Sequence, residues 1–498
     1  MTLYLTSSTH SLYCPRSVMQ KMVTMASKKP INLFRGWPNA SLLPTRALKE
    51  ASATALSNPS ISNPGLWYGP DPGYQPLRES IAKWLNGFYH SSISPKPSRV
   101  ENGKEGNEEI GWSGVGAESI CITGGASQNL ACVLQVYSDP GITTVWMVAP
   151  CYYLACNIFA DAGLEMKAVG MGRDGIDLEA LEKGMKGVDK DGKKTKPIKA
   201  PKPWSKTYRH VIYSVPTFSN PSGLTMSLST RTALVRLARK YDALLVTDDV
   251  YDFLQFPLAP SSSSVLDLPS PAALQLAPQP RLYDIDLTLE PRPGSKDFGN
   301  TISNGSFSKL AGPGLRTGWA AATPPFIHGL SQAGSTRSGG SASQLTATYL
   351  DILITNSSLQ SYIETVLKPS YQRRHALLMS AVHVHLTPLG VRVLGVDDEM
   401  HLPADSDSFE GGKGEEKIFG GYFVLLRLPN GVAAKKLATS CAEEEQLTIA
   451  PGHLFEVEGD GSLKFEQEVR LCFAWEAEQE LVEGVERMGR VLKGMVSV

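Results

Sequence analysis

Residues 228–253 read "LSTRTALVRLARKYDALLVTDDVYDF". The first part suits a helix opened by a Ser/Thr cap. "ALLV" then suits a short buried strand, and "TDDVY" a polar turn at its end. The same alternation recurs upstream. "TTVWMVAP" (143–150) and "HVIYSVP" (210–216) read as strands, and "SQNLACVLQVYSD" and "YYLACNIFADAG" as helices. Helix–strand alternation argues for an α/β fold with a parallel sheet covered on both faces. In such sheets ligands sit at the carboxyl ends of the strands, so the turns are where function should fall.

The chain has 498 residues, long enough that two domains are the default expectation. A net charge of −1 gives no general field for polyanions, so no nucleic-acid partner is expected. No run of about 18 apolar residues argues for a membrane span. The seven cysteines are scattered and lack C-x-x-C, which fits reduced thiols rather than a disulfide framework or zinc site, and no metal is expected. The first 49 residues hold no Asp or Glu. That composition suits a mitochondrial presequence or a disordered extension. Cytoplasmic residence is the expectation, with mitochondrial import as the alternative. Four stretches (92–116, 183–206, 257–300 and 397–417) read as surface insertions that do not add to the core.

Each turn offers a chemically distinct group. "GGAS" (124–127) brings the free N–H groups of a helix start to a ligand, an arrangement that favours phosphate. Tyr152, after "TTVWMVA", can stack on a planar ring. Asn220, set between prolines and Pro-Ser-Gly, presents a rigid amide. Asp248 ends an apolar strand, where a carboxylate is costly unless it meets a cation. Tyr251, three residues on, could face the same crevice. Mg²⁺ is a weaker reading of this acidic end, since no other carboxylate cluster accompanies it. The glycine-rich run "SNGSFSKLAGPGLRTGW" (303–319) adds Lys309 and Arg316 but is not a nucleotide-binding loop, because Lys309 precedes its glycines. A ligand with a phosphate, a flat ring, a basic ring nitrogen and an aldehyde would use all of these groups. Pyridoxal phosphate is such a ligand.

Eight segments, in order, carry a resemblance: "NLFRGWPN", "YGPDPGYQPLRESIAKWL", "TGGASQNL", "PCYY", "PTFSNPSG", "DDVY", "SFSKLAGPGLRTGW" and "VRLCF". With these the chain resembles the class I/II (fold type I) PLP-dependent aminotransferase family from about Ile31 onward, insertions apart. In look it is most similar to the 2-aminoadipate and aromatic amino acid group. The resemblance implies a large domain with a mostly parallel seven-stranded sheet sandwiched by helices, plus a smaller α+β domain drawn from both termini. Its expected limits are an extension over 1–30, a small-domain segment over 31–75, the large domain over 76–345, and the rest of the small domain over 346–498.

The resemblance also implies roles. Lys309 would hold pyridoxal 5'-phosphate as an imine and move the Cα proton. Asp248 would pair with the ring nitrogen, Tyr251 and Asn220 would meet the ring 3-oxygen, and Tyr152 would stack on the ring. Gly125, Ala126, Ser127, Ser306 and Arg316 would cup the phosphate. Tyr68 would reach the phosphate of a neighbouring subunit, implying a homodimer with shared active sites. Arg470 would clamp the substrate α-carboxylate, beside Gly36 and Asn220. The implied reaction moves an amino group between an L-amino acid and a 2-oxo acid, such as 2-oxoglutarate, by ping-pong kinetics. A PLP-dependent lyase or synthase on the same fold is the alternative. A transcriptional regulator is a further reading, but about 30 residues before the first motif are too few for a helix-turn-helix module. Arg35, beside Gly36, could meet an acidic substrate side chain or stand as a surface arginine. The long 257–300 insertion departs from the family's usual spacing, as does Cys151, where Thr or a similar small residue is usual. The expectation is that the insertion leaves the site intact.

Overall fold

The computed structural model describes residues 28–93, 114–172, 174–192, 196–258, 270, 277–290, 298–395 and 418–496. Most of the expected extension, the bulk of insertion 92–116, all of 397–417, and parts of 183–206 and 257–300 lie outside the described residues.

The main sheet is built from β1 (Ile120–Thr123), β2 (Thr144–Ala149), β3 (Glu165–Gly172), β4 (Gly175–Ile176), β5 (His210–Ser214), β6 (Leu244–Asp248), β7 (Thr301–Ser306) and β8 (Gly318–Ala321). Their order is β1-β8-β7-β6-β5-β2-β3-β4. Seven strands match the expected sheet, and β4 adds a two-residue antiparallel edge. Residues in β1, β2, β5, β6 and β7 are buried throughout, as strands covered on both faces must be. The covering helices include α1 (Ala126–Tyr137), α2 (Leu178–Asp191) and α3 (Leu228–Lys240). Ser227 caps α3 by accepting from the Thr230 amide, and the helix buries Leu234, Val235 and Ala238. Each large apolar side chain buried this way contributes about 1.5–3 kcal/mol.

Register decides what meets at the strand ends. Asp248 on β6 lies opposite Asn304 on β7. β8 runs antiparallel between β7 and β1, which sets Gly318 beside both Ser306 and Thr123. That pairing draws Arg316, Ser306 and the Gly124–Gly125 turn to one place.

A second sheet joins β9 (Arg392–Val393), β10 (Phe423–Arg427), β11 (Ala450–Pro451) and β12 (Glu468–Cys472) in the antiparallel order β9-β10-β12-β11. Ile31–Asn32 pairs in parallel with Leu447–Thr448, so the chain's beginning is stitched to its last third. The Cys472 amide donates to the Leu33 carbonyl at 2.7 Å, which carries Gly36 toward β12. Among the described residues no helix is long and apolar enough to cross a membrane.

Two insertions are not mere surface loops. Residues 183–191 continue α2, whose Met185 is fully buried. Lys199 donates its ammonium to the carbonyls of Leu134, Gln135 and Ser138 at the end of α1, where positive charge suits the helix dipole. Within 257–300, α4 (Leu282–Thr288) buries Leu282 and Tyr283. Composition hid these contributions because a few apolar residues suffice to dock a short helix. Arg281, at the start of α4, is buried and grips Asp284 with two hydrogen bonds of 2.8 and 2.7 Å. Breaking a buried pair leaves an uncompensated charge, so Arg281→Met should cost about 3–5 kcal/mol of stability. Chemical denaturation would read the loss, and an unchanged midpoint would contradict it.

Candidate active site

A cleft of about 460 Å³ opens at the carboxyl ends of the parallel strands. It is lined by Gly36, Ala126, Ser127, Tyr152, Asn220, Asp248, Tyr251, Ser306, Lys309, Arg316 and Arg470. All the residues singled out in the sequence gather here except Gly125 and Tyr68. Gly125 still borders the site, against Arg316. Tyr68 is 88% exposed and stays outside the cleft of this single chain. The 257–300 insertion thus leaves Asp248, Tyr251 and Lys309 together.

Lys309 ends a short 3-10 turn, Phe307–Lys309, immediately after β7. Ser306 fixes that turn by accepting from the Ser308 amide at 3.1 Å. The Lys309 amine donates to the Gly36 carbonyl at 2.7 Å and lies 4.9 Å from the centre of the Tyr422 ring. Burial pulls this amine down to about 8; the Cys472 thiol opposes the shift and Arg470 adds to it. It is therefore far more available as a neutral base than an ordinary lysine.

Asp248 is 7% exposed. Its two oxygens accept from the Tyr213 hydroxyl at 2.6 Å and the Asn304 amide at 2.7 Å. Asn304 is held in turn by Asn129 of α1, at 2.9 Å. Among the described residues no cation pairs with Asp248. Burial lifts it to about 6, against the pull of these two neutral donors. A carboxylate so placed fits a ligand that brings a protonated nitrogen.

Arg470 sits on β12, 3% exposed, opposite Leu425. Its guanidinium carbon lies 4.0 Å from the Phe423 ring centre, 4.8 Å from Phe455 and 5.4 Å from Phe34. It donates to the Asn220 side chain at 2.7 Å and the Phe34 carbonyl at 2.5 Å. Its Nε is buried without an acceptor, and no carboxylate pairs with it among the described residues. A fixed, unneutralised fork in an aromatic box suits a carboxylate. Gly36 is forced beside it: a Cβ there would meet the Phe423 ring at 2.6 Å.

The phosphate end is equally specific. Gly125 has φ of 96°, a conformation that glycine tolerates best. Arg316, itself left-handed at φ 47°, donates to the Gly124 carbonyl at 3.0 Å. The N-terminal amides of α1, the Ser306 and Ser308 hydroxyls and Arg316 thus converge where an anion could bind. Burial pushes the Tyr152 phenol up to about 12, keeping it neutral above the site. Donor set, carboxylate, aromatic platform and amine fit pyridoxal phosphate.

Tyr213, Asn304 and the phenylalanines around Arg470 were not singled out in the sequence. The first two lie inside strands, and only strand register reveals what they face.

The whole cleft falls within a match to the family model "Aminotransferase class I and II", which spans residues 38–488, apart from the residues before position 38. An aromatic-amino-acid aminotransferase of Thermococcus litoralis is 25% identical, covering 93% of this chain and 88% of that protein. A 2-aminoadipate transaminase of Thermus thermophilus is 26% identical, covering 97% and 95%. The solved structure of a Pyrococcus horikoshii kynurenine aminotransferase matches in fold with a TM-score of 0.69, at 22% identity, covering 97% and 96%.

Proposed function

We propose, because this chain belongs to the class I and II aminotransferase family, that its amino donors are aromatic amino acids and 2-aminoadipate and its acceptors 2-oxo acids such as 2-oxoglutarate. The chain is a pyridoxal 5'-phosphate-dependent transaminase. The names of two relatives, similar over nearly their whole length, support the donor classes. The observation that carries the assignment to this cleft is Arg470, buried with an unpaired Nε in the same cleft as the Lys309 amine.

Bound pyridoxal phosphate supplies an electron sink conjugated to the substrate Cα. The rest of the chemistry belongs to the chain. Lys309 is the covalent anchor and then, as a free amine, the base that takes the Cα proton and returns it one atom along. Asp248 would pair with the ring nitrogen, and its negative charge would keep that nitrogen protonated. Tyr251 and Asn220 would meet the ring 3-oxygen, and Tyr152 would stack on the ring. Arg316, Ser306 and the Gly125–Ser127 turn hold the phosphate. Arg470, steadied by Asn220, receives the α-carboxylate beside Gly36.

The assembly in this reading is a homodimer. Leu66, Trp67 and Tyr68 are largely exposed on one stretch, apolar surface that a second copy could cover while Tyr68 reaches its phosphate site. A division into a large domain over 76–345 and a small domain formed by 31–75 and 346–498, and a cytoplasmic location, belong to the same reading. The free thiols of the six cysteines among the described residues are in keeping with the latter.

A panel of amino acids, each mixed with the holoenzyme without acceptor, tests the donor assignment through the cofactor absorbance. Aromatic amino acids and 2-aminoadipate should convert the cofactor fastest. A panel in which small aliphatic amino acids lead and these lag would overturn it.

A further inference from the structure

Arg35 stands between the two groups that would hold the reacting end of a substrate. Its backbone is fixed from three sides. The Asn32 side chain accepts from the amides of Phe34 and Arg35, at 3.0 and 2.9 Å. The carbonyl before it, on Phe34, accepts from Arg470, and the carbonyl after it, on Gly36, accepts from Lys309. A substrate with its α-carboxylate on Arg470 and its Cα at Lys309 must therefore send its side chain past residues 34–37.

The Arg35 side chain is exposed and rests on two aromatic rings. Its guanidinium carbon lies 4.5 Å from the centre of the Trp37 ring and 5.0 Å from that of Trp475. The two indoles meet edge to face, 5.6 Å apart at 85°. Asn39 pins the Trp475 carbonyl at 2.6 Å. Indole faces attract a guanidinium but leave its in-plane N–H donors unused. No carboxylate forms an ion pair with Arg35 among the described residues. The nearby Glu476 is engaged by the Asn32 amide at 2.7 Å. Arg35 and Trp37 both line the cleft.

We infer that Arg35, which rests against the rings of Trp37 and Trp475, is the specificity residue that receives the distal carboxylate of a dicarboxylic amino acid or oxo acid. The inference rests on the transaminase reading above and adds its substrate class at the far end of the cleft. An aromatic or aliphatic side chain could lie on the indoles, but only a second carboxylate would use the fork.

The test uses the full-length holoenzyme and compares kcat/KM for 2-aminoadipate and glutamate with that for phenylalanine and leucine. In Arg35→Ala the dicarboxylic-to-monocarboxylic ratio should fall about 10- to 100-fold, mainly through KM, as loss of a charge-assisted pair predicts. Arg35→Lys should fall between, keeping the charge without the fork. Should Arg35→Ala fail to fold, Arg35→Gln keeps the length without the charge and should show the same fall. An equal loss on all four substrates, or no change in the ratio, would overturn the inference, as would a wild type that uses neither dicarboxylic acid. A wild type that converts no amino acid at all would overturn the transaminase reading with it.

Discussion

The Lys309→Ala protein is expected to bind pyridoxal phosphate without covalent attachment and to lose nearly all turnover, with kcat lower by about 10⁴-fold. The groups proposed to hold the phosphate lie on other elements: the α1 turn, Ser306 and Arg316. Those survive the substitution, so dialysis should still show binding. What disappears is the amine that contacts the Gly36 carbonyl at 2.7 Å and that burial has brought to about 8. No other described side chain that lines the cleft offers an amine there. Borohydride treatment followed by peptide mass spectrometry should mark Lys309 in the wild type and nothing in the variant. A variant retaining a tenth of wild-type kcat would contradict the role.

The second large effect is on Asp248. Asp248→Asn should lower kcat by about 10²–10³-fold, the usual cost of removing one preorganised electrostatic partner. The substitution is nearly isosteric but chemically wrong on two counts. It removes the charge proposed to pair with the ring nitrogen, and it sets an NH₂ group against the donors of Tyr213 or Asn304. Stability should move the other way. Burial raises this carboxyl from 3.8 to about 6 in the folded protein. The folded state then binds more protons than the unfolded one across that window, so stability falls as pH rises through it. Above about pH 6 the cofactor-free protein bears the full cost of a buried charge. Asp248→Asn in cofactor-free protein should therefore keep or raise the melting temperature at pH 8 while activity collapses. A lower melting temperature with kcat within tenfold of wild type would show that Asp248 is structural.

Sequence reasoning reached the strand ends because they announce themselves. Asp248, Asn220 and Tyr152 each follow an apolar run that can only be a buried strand, and a polar group there faces either a ligand or a penalty. The partners of those groups were hidden. Asn304 meets Asp248 only because β7 pairs with β6 in one register, and Tyr213 sits inside β5, where nothing local marks its partner. The box around Arg470 draws Phe34, Phe423 and Phe455 from three distant segments. Spacing along the chain carries no trace of that. The Arg281–Asp284 pair was hidden differently, inside a Pro/Ser/Leu-rich stretch whose average composition masked a short buried helix. Arg35 was visible as a charge beside Gly36, but its two indole walls come from opposite ends of the chain.

In the proposed reaction Lys309 moves the proton at the substrate Cα while Arg470 holds the carboxylate beside it. Solvent exchange reads this step alone. A donor amino acid incubated with holoenzyme in D₂O, without an acceptor, should gain deuterium at Cα, detected by mass spectrometry or NMR. Exchange should be rapid in the wild type and near background in Lys309→Ala loaded with the same cofactor. Equal exchange by the two proteins would contradict it.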